Sequence, residues 1–189
     1  MIIFKNNIEE KLSELEKTQK NYWNISRETA NFLSILLKTA KSKKVLEIGT
    51  SNGYSAIWIA LALKETKGHL TTIEFWEKRQ SIARENFKIC QVDDIITPII
   101  GTAFDVMDVM YKNGETFDFI FMDANKAEYL GYFEYADKML ENGGIIAADN
   151  VLSHEMKVKP FVDKIKSDPN YQTEILNLPA GLLLARKSL

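Results

Sequence analysis

The most chemically suggestive part of the chain is the stretch 117–152, FDFIFMDANKAEYLGYFEYADKMLENGGIIAADNVL. Asp123 closes one apolar run in it, and the pair Asp149-Asn150 closes the next. Two carboxylates and an amide oxygen brought to one edge of a sheet form a site for a hard, oxygen-seeking cation. Lys126 follows three residues after the first carboxylate, so an amine accompanies the oxygen cluster. A second constellation lies nearer the N-terminus. Glu47-Ile-Gly49-Thr-Ser-Asn-Gly53 joins a strand to a helix, where glycines let the backbone approach a ligand that the helix N-terminus faces. Glu74 ends the next strand, where a carboxylate accepts hydrogen bonds from both hydroxyls of a ribose. The loop lacks the middle glycine of G-x-G-x-x-G, so it points to a nucleoside without carrying the dinucleotide fingerprint.

These residues need a scaffold that presents several strand ends together, and hydrophobic periodicity supplies one. Ile8, Leu12 and Leu15 predict an amphipathic helix over about 7–20, placed to cover the active site or a partner subunit. Ser26 is an N-cap for a helix whose apolar face is Phe32, Leu33, Leu36, Leu37 and Ala40. Strands are then predicted at 45–49, 70–74, 95–100, 117–122 and 144–148. They alternate with helices at 54–64, 76–89, 103–111, 127–140 and 155–167. QTEIL and LLLARK, joined by NLPAG, predict a closing antiparallel hairpin. Crossover connections make the sheet mostly parallel, so the expected fold is a doubly wound, Rossmann-like α/β sheet of seven strands with a C-terminal antiparallel hairpin.

A chain of 189 residues fits one domain, with residues 1–25 as an N-terminal helical extension. Twenty-four basic and 26 acidic residues give a net charge of -2, which excludes a global nucleic-acid footprint. Cys90 is the only cysteine, so an intrachain disulfide and a cysteine-based metal cluster are excluded. The apolar start MIIF is too short for a signal peptide, and no run of about eighteen apolar residues occurs, so a cytoplasmic protein without a membrane partner is expected. The Gly loop and Glu74 would also serve an NAD-dependent oxidoreductase, against which stand the missing glycine and the terminal hairpin. The oxygen cluster with Lys126 weighs against a non-catalytic binding protein.

LEIGTSNGYSAIWIA, the Glu74 strand end, FIFMDANKAEY and GGIIAADNVL resemble class I S-adenosylmethionine-dependent methyltransferases. More narrowly, the D-A-x-K-x-x-Y and D-N segments resemble the cation-dependent O-methyltransferases of catechol and caffeoyl-CoA type. The similarity runs in order from about Ser26 to Lys187. It implies the class I methyltransferase fold, S-adenosylmethionine as methyl donor, and Mg²⁺ or another divalent cation held by Asp123, Asp149 and Asn150. It makes Lys126 the catalytic base that takes the proton from the attacking hydroxyl. Cofactor contacts are implied at Glu47, Gly49, Gly53, Tyr54, Ser55, Glu74 and Asp123, with the Gly101-Thr102-Ala103 turn at the adenine edge.

The implied acceptor is a catechol-like small molecule or an acyl thioester with adjacent hydroxyls, and the implied assembly is a homodimer. Some bacterial relatives instead methylate a hydroxyuridine of tRNA, an acceptor that the lysine-rich stretches 38–44 and 157–166 would serve. Ser153 replaces an aromatic of the plant enzymes and the following segment is shorter, which opens the acceptor pocket. His154 either lines that pocket or is an exposed loop residue. Thr102 stands in place of an acidic residue, so adenine recognition there falls to backbone groups. Tyr22 and Trp23 form either a wall of the acceptor pocket or part of the core.

Overall fold

Side-chain hydrogen bonds decide where the first helices stop. The structure, a computed structural model, describes residues 6–189; the first five residues of the N-terminal extension lie outside the described residues. The expected continuous helix over 7–20 is divided into α1 (Asn6–Lys17) and α2 (Gln19–Tyr22). At the break, Thr18 Oγ1 and Asn24 Nδ2 donate to the Leu15 carbonyl at 2.8 and 3.1 Å, occupying an acceptor that a further turn would use. Ile8, Leu12 and Leu15 of α1 are buried in the chain's own core, so that apolar face is used internally.

Ser26 caps α3 (Arg27–Ala40) by accepting from the Thr29 N–H at 3.1 Å. The chain then alternates through β1 (Lys44–Ile48), α4 (Tyr54–Thr66), β2 (His69–Glu74), α5 (Glu77–Ile89), β3 (Ile96–Ile100) and α6 (Ala103–Lys112). It continues through β4 (Phe117–Met122), α7 (Tyr129–Met139), β5 (Leu140–Ala148), α8 (Glu155–Ser167), β6 (Tyr171–Leu176) and β7 (Leu182–Lys187). The helix expected over 127–140 opens as a short 3-10 turn at Lys126–Glu128 before α7 begins. β5 starts four residues earlier than expected, because a bulge between Phe117 and Phe119 lets Leu140 pair with Phe117 before Ile145 pairs with Phe119.

The strands form one sheet in the order β3-β2-β1-β4-β5-β7-β6, parallel from β3 to β5 and antiparallel on both sides of β7. This is the expected doubly wound arrangement with its closing hairpin. Alternation on β4 feeds two cores: Phe119 and Phe121 pack with α1, α3, α4 and α5, while Ile120 and Met122 pack with α6, α7 and α8. No helix of the described residues is long and apolar enough to cross a membrane. The register sets Ile48 opposite both Ile73 and Met122, and Met122 opposite Ala148, so β1, β2, β4 and β5 end level with one another.

Candidate active site

The residues one step beyond the strands inherit that alignment. Gly49 N–H donates to Ile73 O, Asp123 N–H to Ile48 O and Asp149 N–H to Met122 O, each at 3.0 Å. The sheet's hydrogen bonding therefore continues into the loops that carry the reactive side chains. Gly49 has φ +105°, and a Cβ there would lie 2.2 Å from the Asp123 carbonyl oxygen. Only glycine permits that approach.

Asp123, Lys126 and Asp149 meet at this edge, and Asn150 follows Asp149 directly in the chain. Lys126 Nζ donates to Asp123 Oδ1 at 2.6 Å, with the two side chains only 16% and 11% exposed. Asp149 is buried, and its Oδ1 has no hydrogen-bond partner. Burial and the neighbouring Asp123 charge both push its carboxyl well above the usual carboxylate range. The buried Tyr129 hydroxyl lies 3.1 Å from Met122 O and 3.2 Å from Asp149 O and shares its one proton between them, which fastens the ends of β4 and β5 together. Burial raises its pKa well above the ordinary phenol value, which keeps it a donor. Asn150 adopts φ +67°, a left-handed conformation that asparagine tolerates better than most residues.

The nucleoside side of the site is built on β1 and β2. Glu74 accepts from the backbone N–H of Ser51 at 2.7 Å through one oxygen and from that of Trp76 at 2.9 Å through the other. Glu47 is fully buried and accepts from Ser55 Oγ at 2.5 Å and Thr72 Oγ1 at 2.6 Å. Burial, reinforced by the Asp123 and Glu74 charges, pushes the Glu47 carboxyl up to about 7 despite those two donors. An acid with a raised folded pKa holds its proton more tightly in the native state, so its contribution to stability falls as pH rises from about 4.5 to about 7. The corresponding free energy is on the order of 3 kcal/mol. Glu47→Gln is expected to flatten stability over that window relative to the unsubstituted chain, as read by urea unfolding at pH 5 and pH 8. Parallel pH curves for the two proteins would refute it.

Other candidates are placed as follows. Gly53, at φ +86°, caps α4, and a Cβ there would lie 2.5 Å from the Phe87 ring. Tyr54 is buried and its hydroxyl donates to Glu16 of α1 at 2.7 Å, so its side chain runs toward the N-terminal extension. Arg27 joins the same group, bonded to Glu16 at 2.7 Å and Glu9 at 2.6 Å. Thr102 caps α6 by accepting from the Asp105 N–H, and Ala103 begins that helix, half-buried. Trp23 is 69% exposed, which removes it from the core, and its ring lies 4.6 Å from the Arg79 guanidinium. The Tyr22 carbonyl accepts from Ser51 Oγ at 2.7 Å, bringing α2 against the Gly loop. In the lysine-rich stretches, Lys38 pairs with Glu65, Lys44 with Glu141 and Lys159 with Asp163.

The sequence profile of the O-methyltransferase family matches residues 5–188. The chain belongs to that family. The catechol O-methyltransferase of Niastella koreensis is 35% identical over 129 residues, covering 68% of this chain and 58% of that protein. The caffeoyl-CoA O-methyltransferase of Medicago sativa is 36% identical over 151 residues, covering 77% and 61% respectively. The chain thus spans about three fifths of the length of these relatives. An O-methyltransferase from Bacillus cereus, solved in complex with S-adenosylhomocysteine (SAH), superposes with a TM-score of 0.89 at 29% identity, covering 100% of this chain and 93% of that one. The seven-stranded architecture is that of the class I O-methyltransferases.

Within this O-methyltransferase fold, several supporting residues escape sequence reasoning. Thr72 reaches Glu47 because β1 and β2 pair residue for residue, Glu47 opposite Thr72. Thr50 Oγ1 lies 2.6 Å from Thr72 Oγ1 and extends the same chain of hydroxyls. Period-two alternation along β2 places Thr72 and Glu74 on one face, which was the available clue.

Proposed function

We propose that this chain transfers a methyl group from S-adenosylmethionine to a hydroxyl of a small molecule bearing adjacent hydroxyls, with Mg²⁺ held by Asp123, Asp149 and Asn150. The carrying observation is the buried, unpartnered Asp149 Oδ1, which feels the Asp123 and Lys126 charges. An oxygen cut off from both water and donors is costly until a cation satisfies it. Two carboxylates and an amide are hard oxygen donors, and they suit a small divalent ion that keeps positions open for acceptor oxygens. Among the described residues, no group of three His, Cys, Asp or Glu side chains is placed to hold a metal, so the set here is two carboxylates with an amide.

When bound, Mg²⁺ supplies Lewis-acid polarisation of the acceptor hydroxyl, and S-adenosylmethionine supplies an electrophilic methyl group. As the free amine, Lys126 Nζ would accept the hydroxyl proton and become the ammonium that Asp123 holds. Glu74, oriented by two backbone N–H groups, keeps a further lone pair on each oxygen for ribose hydroxyls. Gly49 and the left-handed Ser51 and Gly53 hold the loop below the N-terminus of α4, where an anionic group of the cofactor is favoured.

The decisive experiment incubates the purified protein with S-adenosylmethionine, Mg²⁺ and a panel of catechols, with and without EDTA. Methylated product is expected, and chelation is expected to cut the rate by about a hundredfold or more, the size of a Lewis-acid contribution of several kcal/mol. Asp149→Asn is expected to abolish the rescue by added Mg²⁺ while leaving the metal-free protein as stable or more stable, because a strained buried carboxylate is removed. Equal rates with and without EDTA would eliminate the cation from this reading. An absence of product across the panel would eliminate the acceptor class.

A further inference from the structure

Asn150 brings an amide to the oxygen cluster, and an amide has two unlike ends. Only Oδ1 can ligate a cation; with Nδ2 turned inward the site loses a ligand and gains a donor. One hydrogen bond resolves that choice. Asn150 Nδ2 donates to Ser153 Oγ at 3.2 Å, which turns Oδ1 the other way. Ser153 Oγ in turn lies 3.0 Å from His154 Nδ1. Whether the hydroxyl donates to the ring or the ring donates to the hydroxyl, Oγ keeps a lone pair for the amide.

Ser153 itself has little freedom to move. The N–H groups of Leu152 and Ser153 both donate to Ala180 O, at 3.1 and 3.0 Å, and the Val151 N–H donates to Gly181 O at 3.1 Å. The His154 N–H closes the turn onto Asn150 O at 3.0 Å. Gly181 has φ +80°, and a Cβ there would lie 2.6 Å from the Leu152 nitrogen, so the β6–β7 loop and the Asn150 turn are in backbone contact. The terminal hairpin is therefore the seat of the Asn150 turn.

We propose that Ser153, seated on the Ala180 carbonyl, is a positioning residue that turns the Asn150 amide oxygen toward a bound cation. The inference rests on the cation reading of the Asp123, Asp149 and Asn150 cluster. Outer hydrogen bonds of this kind typically change metal affinity by 10–100-fold.

The test is calorimetric titration of Mn²⁺ into the full chain saturated with SAH. Ser153→Ala is expected to bind Mn²⁺ about tenfold more weakly, with an unchanged thermal midpoint because the side chain is exposed. Ser153→Thr, which keeps the hydroxyl, is expected to restore most of the affinity. In an Asn150→Asp background the two ligand ends become equivalent oxygens, so Ser153→Ala is expected to cost much less there. Equal affinity for Ser153→Ala and the unsubstituted chain would overturn the inference alone, as would an undiminished tenfold loss in the Asn150→Asp background. No Mn²⁺ binding by the unsubstituted chain would overturn the cation reading, and this inference with it.

Discussion

Lys126→Ala is expected to lower turnover by about 10²–10⁴-fold, the usual worth of a positioned general base, while SAH binding stays near that of the unsubstituted chain. The separation follows from where the amine is held. Among the described residues it forms an ion pair with Asp123 Oδ1, at 2.6 Å, whereas Glu74 and the Gly loop are held by other groups. Lys126→Arg is expected to restore little activity, because a guanidinium stays protonated and its planar fork does not reproduce an ammonium's point contact. The substitution also has a thermodynamic signature. Removing the ammonium leaves Asp123 and Asp149 facing each other uncompensated, so the metal-free variant should be less stable and should gain more in melting temperature from Mg²⁺ than the unsubstituted chain does. Steady-state rates and thermal shifts with and without Mg²⁺ measure both effects, and turnover within a factor of a few of the unsubstituted rate would deny Lys126 its role as base.

Gly49→Ala should be the most damaging small substitution in the chain. The added Cβ would lie 2.2 Å from a backbone oxygen, and the φ of +105° disfavours any L side chain. Such backbone conformations cost on the order of 1–3 kcal/mol, before the clash is counted. Gly114 offers an internal control, since it also has positive φ, +72°, but an added Cβ meets nothing within 4 Å. Gly114→Ala should therefore show the conformational cost alone, about 1 kcal/mol. The excess in Gly49→Ala is the cost of pushing Asp123 from its place, and a displacement near 1 Å is enough to remove about a hundredfold of activity. Urea unfolding of both variants separates the two contributions; equal losses would mean that the loop absorbs the methyl group.

The order and type of the elements were legible because each obeys its own hydrophobic period, and the site was legible where it depends on strand ends. Asp123, Asp149 and Glu74 could be placed at one edge from periodicity alone, since a parallel sheet delivers its C-terminal ends together. What depends on register or on distant partners was not legible. Nothing local marks Thr72 as the donor to Glu47, because that contact requires strand alignment. Tyr54 pairs with Glu16, 38 residues earlier, so its position beside the Gly loop misleads about where its hydroxyl points. The break at Thr18 and the early start of β5 turn on a side-chain bond to a carbonyl and on a bulge, both of which compete with a clean pattern. Trp23 was ambiguous by composition, and only its exposure and the nearby Arg79 place it at the surface.

Gly49, Asp123 and Asp149 all hang from one run of backbone hydrogen bonds that crosses β2, β1, β4 and β5. Inserting or deleting one residue within β1, β4 or β5 would do more than slide a side chain along its strand. It would turn every later side chain to the opposite face, exchanging the two cores and carrying a ligand out of the cluster. The opposite edge is under no such restriction, and the exposed turn at 113–116, where Gly114 has open space around it, can change length without altering the alignment. Foreign sequence grafted into this chain is best received at that turn, behind the strands, where their starting ends absorb the change and their finishing ends stay in step.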